Sequence, residues 1–222
     1  GEMPSTFPTE ALKAQAVAAR TYAVSKIIRG AANGNSMDHP GSPLCDTTHC
    51  QVYRSPEELN KIKSAQWMKT QWPIIQKVVS DTAGQVMYYQ GALVEQPLFH
   101  SSSGGRTENS EDVFVSALPY LRSVDSPYES EAPYKEESTT IPLSTFVEKV
   151  RNAYGASAVN KDAIKVLSRS DGGRVETFQV GNKTVSGREI RDLFGLRSAN
   201  FTLSFKDGNP VFTTSGYGHG VG

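Results

Sequence analysis

Small and apolar residues recur at helical spacing in the first third of this chain, and apolar and polar residues alternate in the last third. Leu12, Ala16, Ala19, Ala23 and Ile27 follow an i, i+4, i+7 rule, which predicts a helix over 10–29 with one interior-facing stripe. Ala11, Ala14 and Ala18 add helix propensity, Pro8 and Thr9 suit its start, and Gly30 suits its stop. Such small side chains predict that something packs very close to this helix. Ser55-Pro56-Glu57-Glu58 reads as a capping box with proline at the first helical position, opening a helix to about 69. A third helix is predicted over 73–80. Segments 86–90 and 93–99 read as a hairpin about Gly91-Ala92 whose second strand delivers His100. Residues 109–140 read as loop, with the acidic run Glu129, Glu131, Glu136 and Glu137 as a solvated part of it. Beyond it come a helix over 144–154 and strands over 163–169 and 174–180, turned by Asp171-Gly172-Gly173. A second capping box, Ser186 to Glu189, and a hairpin about Asp207-Gly208 complete the pattern. The fold class is α+β: a helix-rich part, 1–125, and a strand-rich part, 126–222, forming two lobes around a groove.

Composition narrows the function classes. Lys+Arg and Asp+Glu balance at 23 each, so the chain lacks the basic field of a nucleic-acid binder. No stretch approaches the roughly eighteen apolar residues of a membrane span. Gly1 and Gly222 have the look of cut points inside a longer protein, so an anchor outside this chain is compatible with the sequence.

Candidate chemistry begins with His39-Pro-Gly-Ser-Pro-Leu-Cys45-Asp-Thr-Thr-His49-Cys50, which gathers both cysteines and two of the four histidines. Two thiolates and two imidazoles make a tetrahedral zinc set, and four protein ligands leave no open position for a substrate. A short Cys45–Cys50 disulfide is the other reading. A zinc hydrolase is the weaker alternative, since no His-Glu-x-x-His helix is present. His100-Ser101-Ser102-Ser103-Gly104-Gly105-Arg106 is a polar loop suited to ligand contact, though it lacks the Gly-x-Ser-x-Gly elbow of a serine hydrolase. On the motif alone His100 reads as a structural imidazole, and Gly218-His219-Gly220 as a tight backbone loop. Lys13 and Arg20, seven apart, lie on one helical face, and spacing alone makes that face solvated, with Glu10 within reach of Lys13. Glu2 precedes the long helix, and apolar neighbours such as Met3 and Phe7 would favour its neutral, proton-donating form.

Four separated motifs carry a resemblance. Glu2-Met-Pro with Glu10-Ala-Leu-Lys-Ala-Gln-Ala-Val-Ala-Ala-Arg20-Thr-Tyr, Cys45-Asp-Thr-Thr-His49-Cys50-Gln-Val-Tyr, Phe99-His100-Ser-Ser-Ser-Gly-Gly-Arg-Thr-Glu108 and Gly218-His219-Gly220-Val221-Gly222 closely resemble the signatures of the stage II sporulation protein D family. The resemblance implies an extracytoplasmic lytic transglycosylase, held to the membrane on the mother-cell side of the sporulation septum. It would cut MurNAc–GlcNAc β-1,4 bonds in glycan strands stripped of their stem peptides by an amidase partner of the engulfment machinery, leaving 1,6-anhydro-MurNAc ends. It also implies Glu2 as the catalytic acid and base, with Lys13, Arg20 and His100 supporting it. Ser101, Ser102, Ser103, Arg106, Tyr217 and His219 would contact the glycan. The rival, from a different class, is a cell-wall-binding module that enhances an amidase without cutting sugar. That rival would tolerate Glu2→Gln, whereas a transglycosylase would not.

Overall fold

The computed structural model describes residues 2–33, 39, 41–132 and 135–222. Residues 34–38 and 40 of the predicted box-bearing loop, and 133–134 of the predicted 109–140 loop, lie outside the described residues. The fold is α+β, helical in its first part and built from antiparallel sheets in its last. The chain divides into two compact units, Gly1–Pro97 and Leu98–Gly222. The boundary falls ahead of the serine loop.

The first unit is organised by α1 (Thr9–Asn33), followed by α2 (Pro56–Ile62), α3 (Ala65–Thr70), α4 (Trp72–Asp81) and the short hairpin β1 (Tyr88–Tyr89) and β2 (Ala92–Leu93). The predicted helix to about 69 is two helices. Ser64 caps α3 by accepting a hydrogen bond from Trp67 N, which diverts the chain after Lys63. The Ser55–Glu58 capping box forms as its sequence predicts. Few large side chains are buried in this unit: Leu12, Leu59, Val78 and Val94 among the described residues. Polar contacts along one side of α1 do much of the joining instead. Thr21 Oγ1 accepts from Met87 N, Ser25 Oγ donates to Glu95 O, and Arg29 pairs with Glu95 at 3.0 Å. Helix α4 packs against α1, and Ala16, Ala19 and Ala23 are half-buried on the wall of a cavity of about 1110 Å³ that α4 also lines. Side chains that end at Cβ leave that volume unfilled.

The second unit holds the larger core. It contains α5 (Ser110–Val113), β3 (Glu136–Thr140), α6 (Leu143–Tyr154), β4 (Ile164–Arg169), β5 (Val175–Val180), β6 (Lys183–Ser186), α7 (Gly187–Phe194), β7 (Phe201–Lys206) and β8 (Asn209–Ser215). One sheet runs β3-β8-β7 and the other β4-β5-β6, both antiparallel. Their inner faces meet where Phe178 of β5 lies 5.7 Å from Phe201 of β7 and 6.1 Å from Phe212 of β8, centroid to centroid. Phe146 and Ile190 close the core from α6 and α7, and all of these side chains are at most 1% exposed. Burying a side chain of this size contributes about 1.5–3 kcal/mol. Strand β3 corrects the loop predicted over 109–140, and with it the solvated acidic run. Glu-Glu-Ser-Thr-Thr carries no apolar alternation, yet it pairs residue by residue with β8, where Thr suits an edge strand.

Candidate functional site

In the first unit, Glu2 and Arg20 stand on the wall of the 1110 Å³ cavity, together with Tyr53, Trp67 and Trp72. Glu2 is exposed, not sunk in an apolar pocket as its neighbours had implied. Its Oε1 accepts a 2.7 Å hydrogen bond from Val52 N. Arg20 is heavily engaged. Its guanidinium donates to the carbonyls of Val79, Thr82 and Gln85 and to Thr82 Oγ1, at 2.7–3.3 Å. Val79 lies in the last turn of α4, Thr82 is its C-cap and Gln85 lies in the turn that follows, so Arg20 fastens the end of that helix through a planar fork of donors. Lys13 pairs with Glu10 at 2.9 Å, and that hydrogen bond holds its ammonium above the ordinary lysine value. The glutamate-to-lysine contact is the one helical spacing allows.

The His/Cys box closes beside Glu2. The donor atoms of His39, Cys45, His49 and Cys50 all lie within 4.8 Å of one another. Cys50 Sγ is 3.1 Å from His39 Nε2 and 3.7 Å from His49 Nδ1, and Cys45 Sγ is 3.9 Å from His49 Nδ1. A zinc ion with bonds of about 2.0–2.3 Å separates tetrahedral donors by about 3.3–3.8 Å, so this set fits zinc in size and in donor type. Both cysteines are free thiols. Hydrogen bonds from the Thr47 side chain and main chain, then from His49, draw the Cys45 thiol down to about 6, toward the thiolate a metal requires. Tyr22 of α1 hydrogen-bonds Cys50, and burial first, then that contact, pushes its phenol up to about 12.

In the second unit the serine loop and the terminal glycine loop are stitched together. Ser102 and Tyr217 exchange main-chain hydrogen bonds, and Gly216 permits the approach: a Cβ there would come within 2.7 Å of Gly104 N. Ser102 and Ser103 are buried at 2% and 0% exposure, which leaves Ser101 alone of the three presenting its side chain to solvent. Arg106 pairs with Asp125 at 2.6 Å and donates to Ser123 Oγ. Tyr217 lies under the Arg197 guanidinium, 5.2 Å from its ring centroid.

The two histidines stand 5.9 Å apart by ring centroids. His100 Nδ1 is 3.1 Å from the Val221 carbonyl, which can only accept, so Nδ1 carries the proton and Nε2 is the acceptor. His219 Nδ1 accepts from Val221 N at 3.1 Å, which puts its proton on Nε2, bonded to the main chain of Phe99. Burial lowers His100 below its ordinary value. Burial first, then His100 and the arginines at 174 and 191, pushes His219 down to about 4. Both imidazoles are neutral at neutral pH.

Three residues that sequence reasoning passed over hold this edge. Arg174, 5% exposed, pairs with Glu108, 1% exposed, at 3.0 Å and donates to Ser103 O. It also lies against Gly220, where a Cβ would come within 2.0 Å of its guanidinium. Glu129 receives the N–H groups of Ser103 and Gly104, both at 2.8 Å. Partial burial works to raise its carboxyl, but those N–H groups prevail and leave it below the ordinary glutamate value. Only Glu108 had a signal, as the last residue of the His100 motif; Arg174 read as the first residue of a strand and Glu129 as a solvated charge.

Residues 1–89 match the profile of the stage II sporulation protein family. The chain is 38% identical over its full length to stage II sporulation protein D of Bacillus subtilis (strain 168) and 37% identical to that of Bacillus amyloliquefaciens. It spans 62% of the length of each. Over 120 residues, 54% of this chain and 13% of the relative, it is also 37% identical to the amidase enhancer of Bacillus subtilis (strain 168). The chain belongs to the stage II sporulation protein D family. Among the described residues no helix is long and apolar enough to cross a membrane.

Proposed function

We propose that this chain is the catalytic region of a peptidoglycan lytic transglycosylase, and that Glu2 is its single acid–base residue. The observation that carries this is the Glu2 carboxyl, oriented by Val52 N–H on the wall of a cavity of about 1110 Å³. That volume exceeds an ordinary small-molecule pocket of about 300–1,000 Å³. Tyr53, Trp67 and Trp72 on its wall offer the flat apolar faces on which pyranose C–H groups stack.

The chemistry needs one carboxyl used twice. Neutral Glu2 gives its proton to the oxygen joining MurNAc C1 to GlcNAc O4, and that C1–O4 bond breaks. The resulting carboxylate takes the proton of the MurNAc C6 hydroxyl as O6 bonds to C1. One strand ends in a GlcNAc 4-hydroxyl and the other in 1,6-anhydro-MurNAc; Glu2 is neutral again and no water is consumed. The oxocarbenium-like centre at C1 is stabilised by the nearby carboxylate, as in other glycan-cleaving enzymes. Neither Lys13 nor Arg20 spoils the acid step by sitting as a bare cation on Glu2, because Lys13 is paired with Glu10 and Arg20 is spent on α4.

The four-donor set would hold zinc as a closed structural ion through His39, Cys45, His49 and Cys50. In the second unit, His100 Nε2, Ser101 and the exposed part of Tyr217 would contact glycan hydroxyls. Peptide-stripped strands as substrate, an amidase as partner and an extracytoplasmic, membrane-attached setting at the sporulation septum complete the reading. Peptide-free glycan digested by wild type and by Glu2→Gln tests it. Anhydro-MurNAc products from wild type alone support the reading; products from both exclude Glu2 as the acid. The similarity to an amidase enhancer favours a second reading, a wall-binding module without turnover. That module would bind the strands and leave them uncut.

A further inference from the structure

We propose that the metal-binding loop is also the device that aims the Glu2 carboxyl, acting through the main-chain N–H of Val52. This rests on the reading of Glu2 as the acid–base residue and gives the metal a positioning role in that same site.

Among the described residues, Val52 N is the one hydrogen-bond partner of the Glu2 side chain, at 2.7 Å. Glu2 is exposed and precedes α1, so no packing fixes its rotamer. Whatever fixes Val52 therefore fixes Glu2. Val52 follows Cys50 by two residues, and Tyr53 N returns to Asp46 O at 3.1 Å, closing the box on itself. The main chain of 52–53 is thus tied on both sides, through Tyr53 N–H to the box and through Val52 N–H to the Glu2 carboxyl.

The apolar residues of this loop, Pro43, Leu44 and Val52, are only half-buried. No residue between 41 and 54 is buried, so the loop cannot rely on a core for its order. It is held instead by polar ties: Tyr53 to Asp46, Ser42 to His39 and Leu44, His49 N to Thr47 Oγ1 at 3.3 Å, Cys45 to Thr47 at 3.1 Å, and Tyr22 of α1 to Cys50. A segment with so little buried contact opens easily. An ion bound by His39, Cys45, His49 and Cys50 would add four bonds across it, and binding of that kind couples directly to local folding. The metal then need touch neither sugar nor Glu2 to govern turnover. A misplacement of about 1 Å at a reacting group costs on the order of a hundredfold in rate.

The test follows the Val52 amide by hydrogen exchange in zinc-loaded wild type, in wild type stripped by chelator, and in zinc-loaded Glu2→Ala. Val52 is expected to be protected in the first and to lose protection in both others, whereas amides of the β7–β8 hairpin stay unchanged. In parallel, chelation is expected to lower kcat on peptide-free glycan about 10- to 100-fold with KM within about threefold, and zinc or cadmium to restore it. Zinc-loaded Val52→Pro, which removes that N–H, should lose kcat while keeping its metal, and Val52→Ala, which keeps the N–H, should keep kcat; the pair guards against chelation simply unfolding the first unit. Unchanged Val52 protection after metal removal, or full kcat in Val52→Pro, overturns the coupling. Cleavage by Glu2→Gln at the wild-type rate instead overturns the acid–base reading, and the exchange data then stand by themselves as a test of the Val52–Glu2 contact.

Discussion

Arg174→Met should be among the most damaging single substitutions in the second unit. Arg174 and Glu108 are 5% and 1% exposed, and the guanidinium supplies the one cation paired with that carboxylate among the described residues. Methionine fills much of the arginine stem, so the change deletes charge and donors more than volume. It strips Glu108 of its ion pair and leaves Ser170 Oγ donating to Oε1. It also releases Ser103 O and uncovers Gly220. Breaking a buried pair by removing one member costs about 3–5 kcal/mol. Domain stabilities are about 5–15 kcal/mol, so that loss is a large share of the whole. For a unit of this length each kcal/mol moves the midpoint by about 4 °C, which predicts a fall of about 12–20 °C. Thermal unfolding followed by near-ultraviolet circular dichroism reads the transition, because the phenylalanine and tyrosine environments of this unit report on its packing. The double variant Glu108→Gln, Arg174→Met removes the stranded charge and should recover at least half of the loss. A single variant that melts within about 3 °C of wild type, or a double variant no better than the single, would refute the argument from burial.

Two further outcomes follow from the same geometry. Because burial depresses His219 to about 4, the unfolded chain takes up its proton first as pH falls from about 6.5. Stability should therefore be full above that value and drain away between about 6.5 and about 4; with His219 half-buried, solvent screening limits this to about 1–2 kcal/mol. Urea midpoints measured across that window should fall in wild type and fall less in His219→Gln. Arg20→Met should unfasten the end of α4 and cost about 1.5–3 kcal/mol, the worth of a charged group's hydrogen bonds, seen as lost helical signal and a lower midpoint. Arg20→Met that kept wild-type stability and lost only turnover would reassign Arg20 from the helix end to the chemistry.

How much of this was legible in the sequence depended on the range of each interaction. Helix α1 and both capping boxes are local, set by alanine content and by Ser and Glu three residues apart, and the structure forms them. The α2–α3 break was legible in principle, since Ser64 is a capping residue, but the surrounding pattern masked it. Strand β3 was not legible, because its pairing partner β8 supplies what its own polar sequence lacks. The metal box announced itself through rare residue types in a short span. The link from Val52 to Glu2 could not, since a main-chain N–H carries no sequence signature. Arg174 and Glu108 sit 66 residues apart in sequence, and neither is a site residue by type alone.

If Glu2 breaks the glycosidic bond with the sugar's own C6 hydroxyl as nucleophile, no oxygen from water enters the new ends. Digestion of peptide-free glycan strands in ¹⁸O-labelled water, read by mass spectrometry, tests it most directly. Wild type is predicted to release anhydro-MurNAc ends that carry no label, and Glu2→Gln to release none. Labelled, reducing MurNAc ends would contradict the account by showing that water attacks instead, and intact strands from wild type would contradict it by leaving a binding module without turnover.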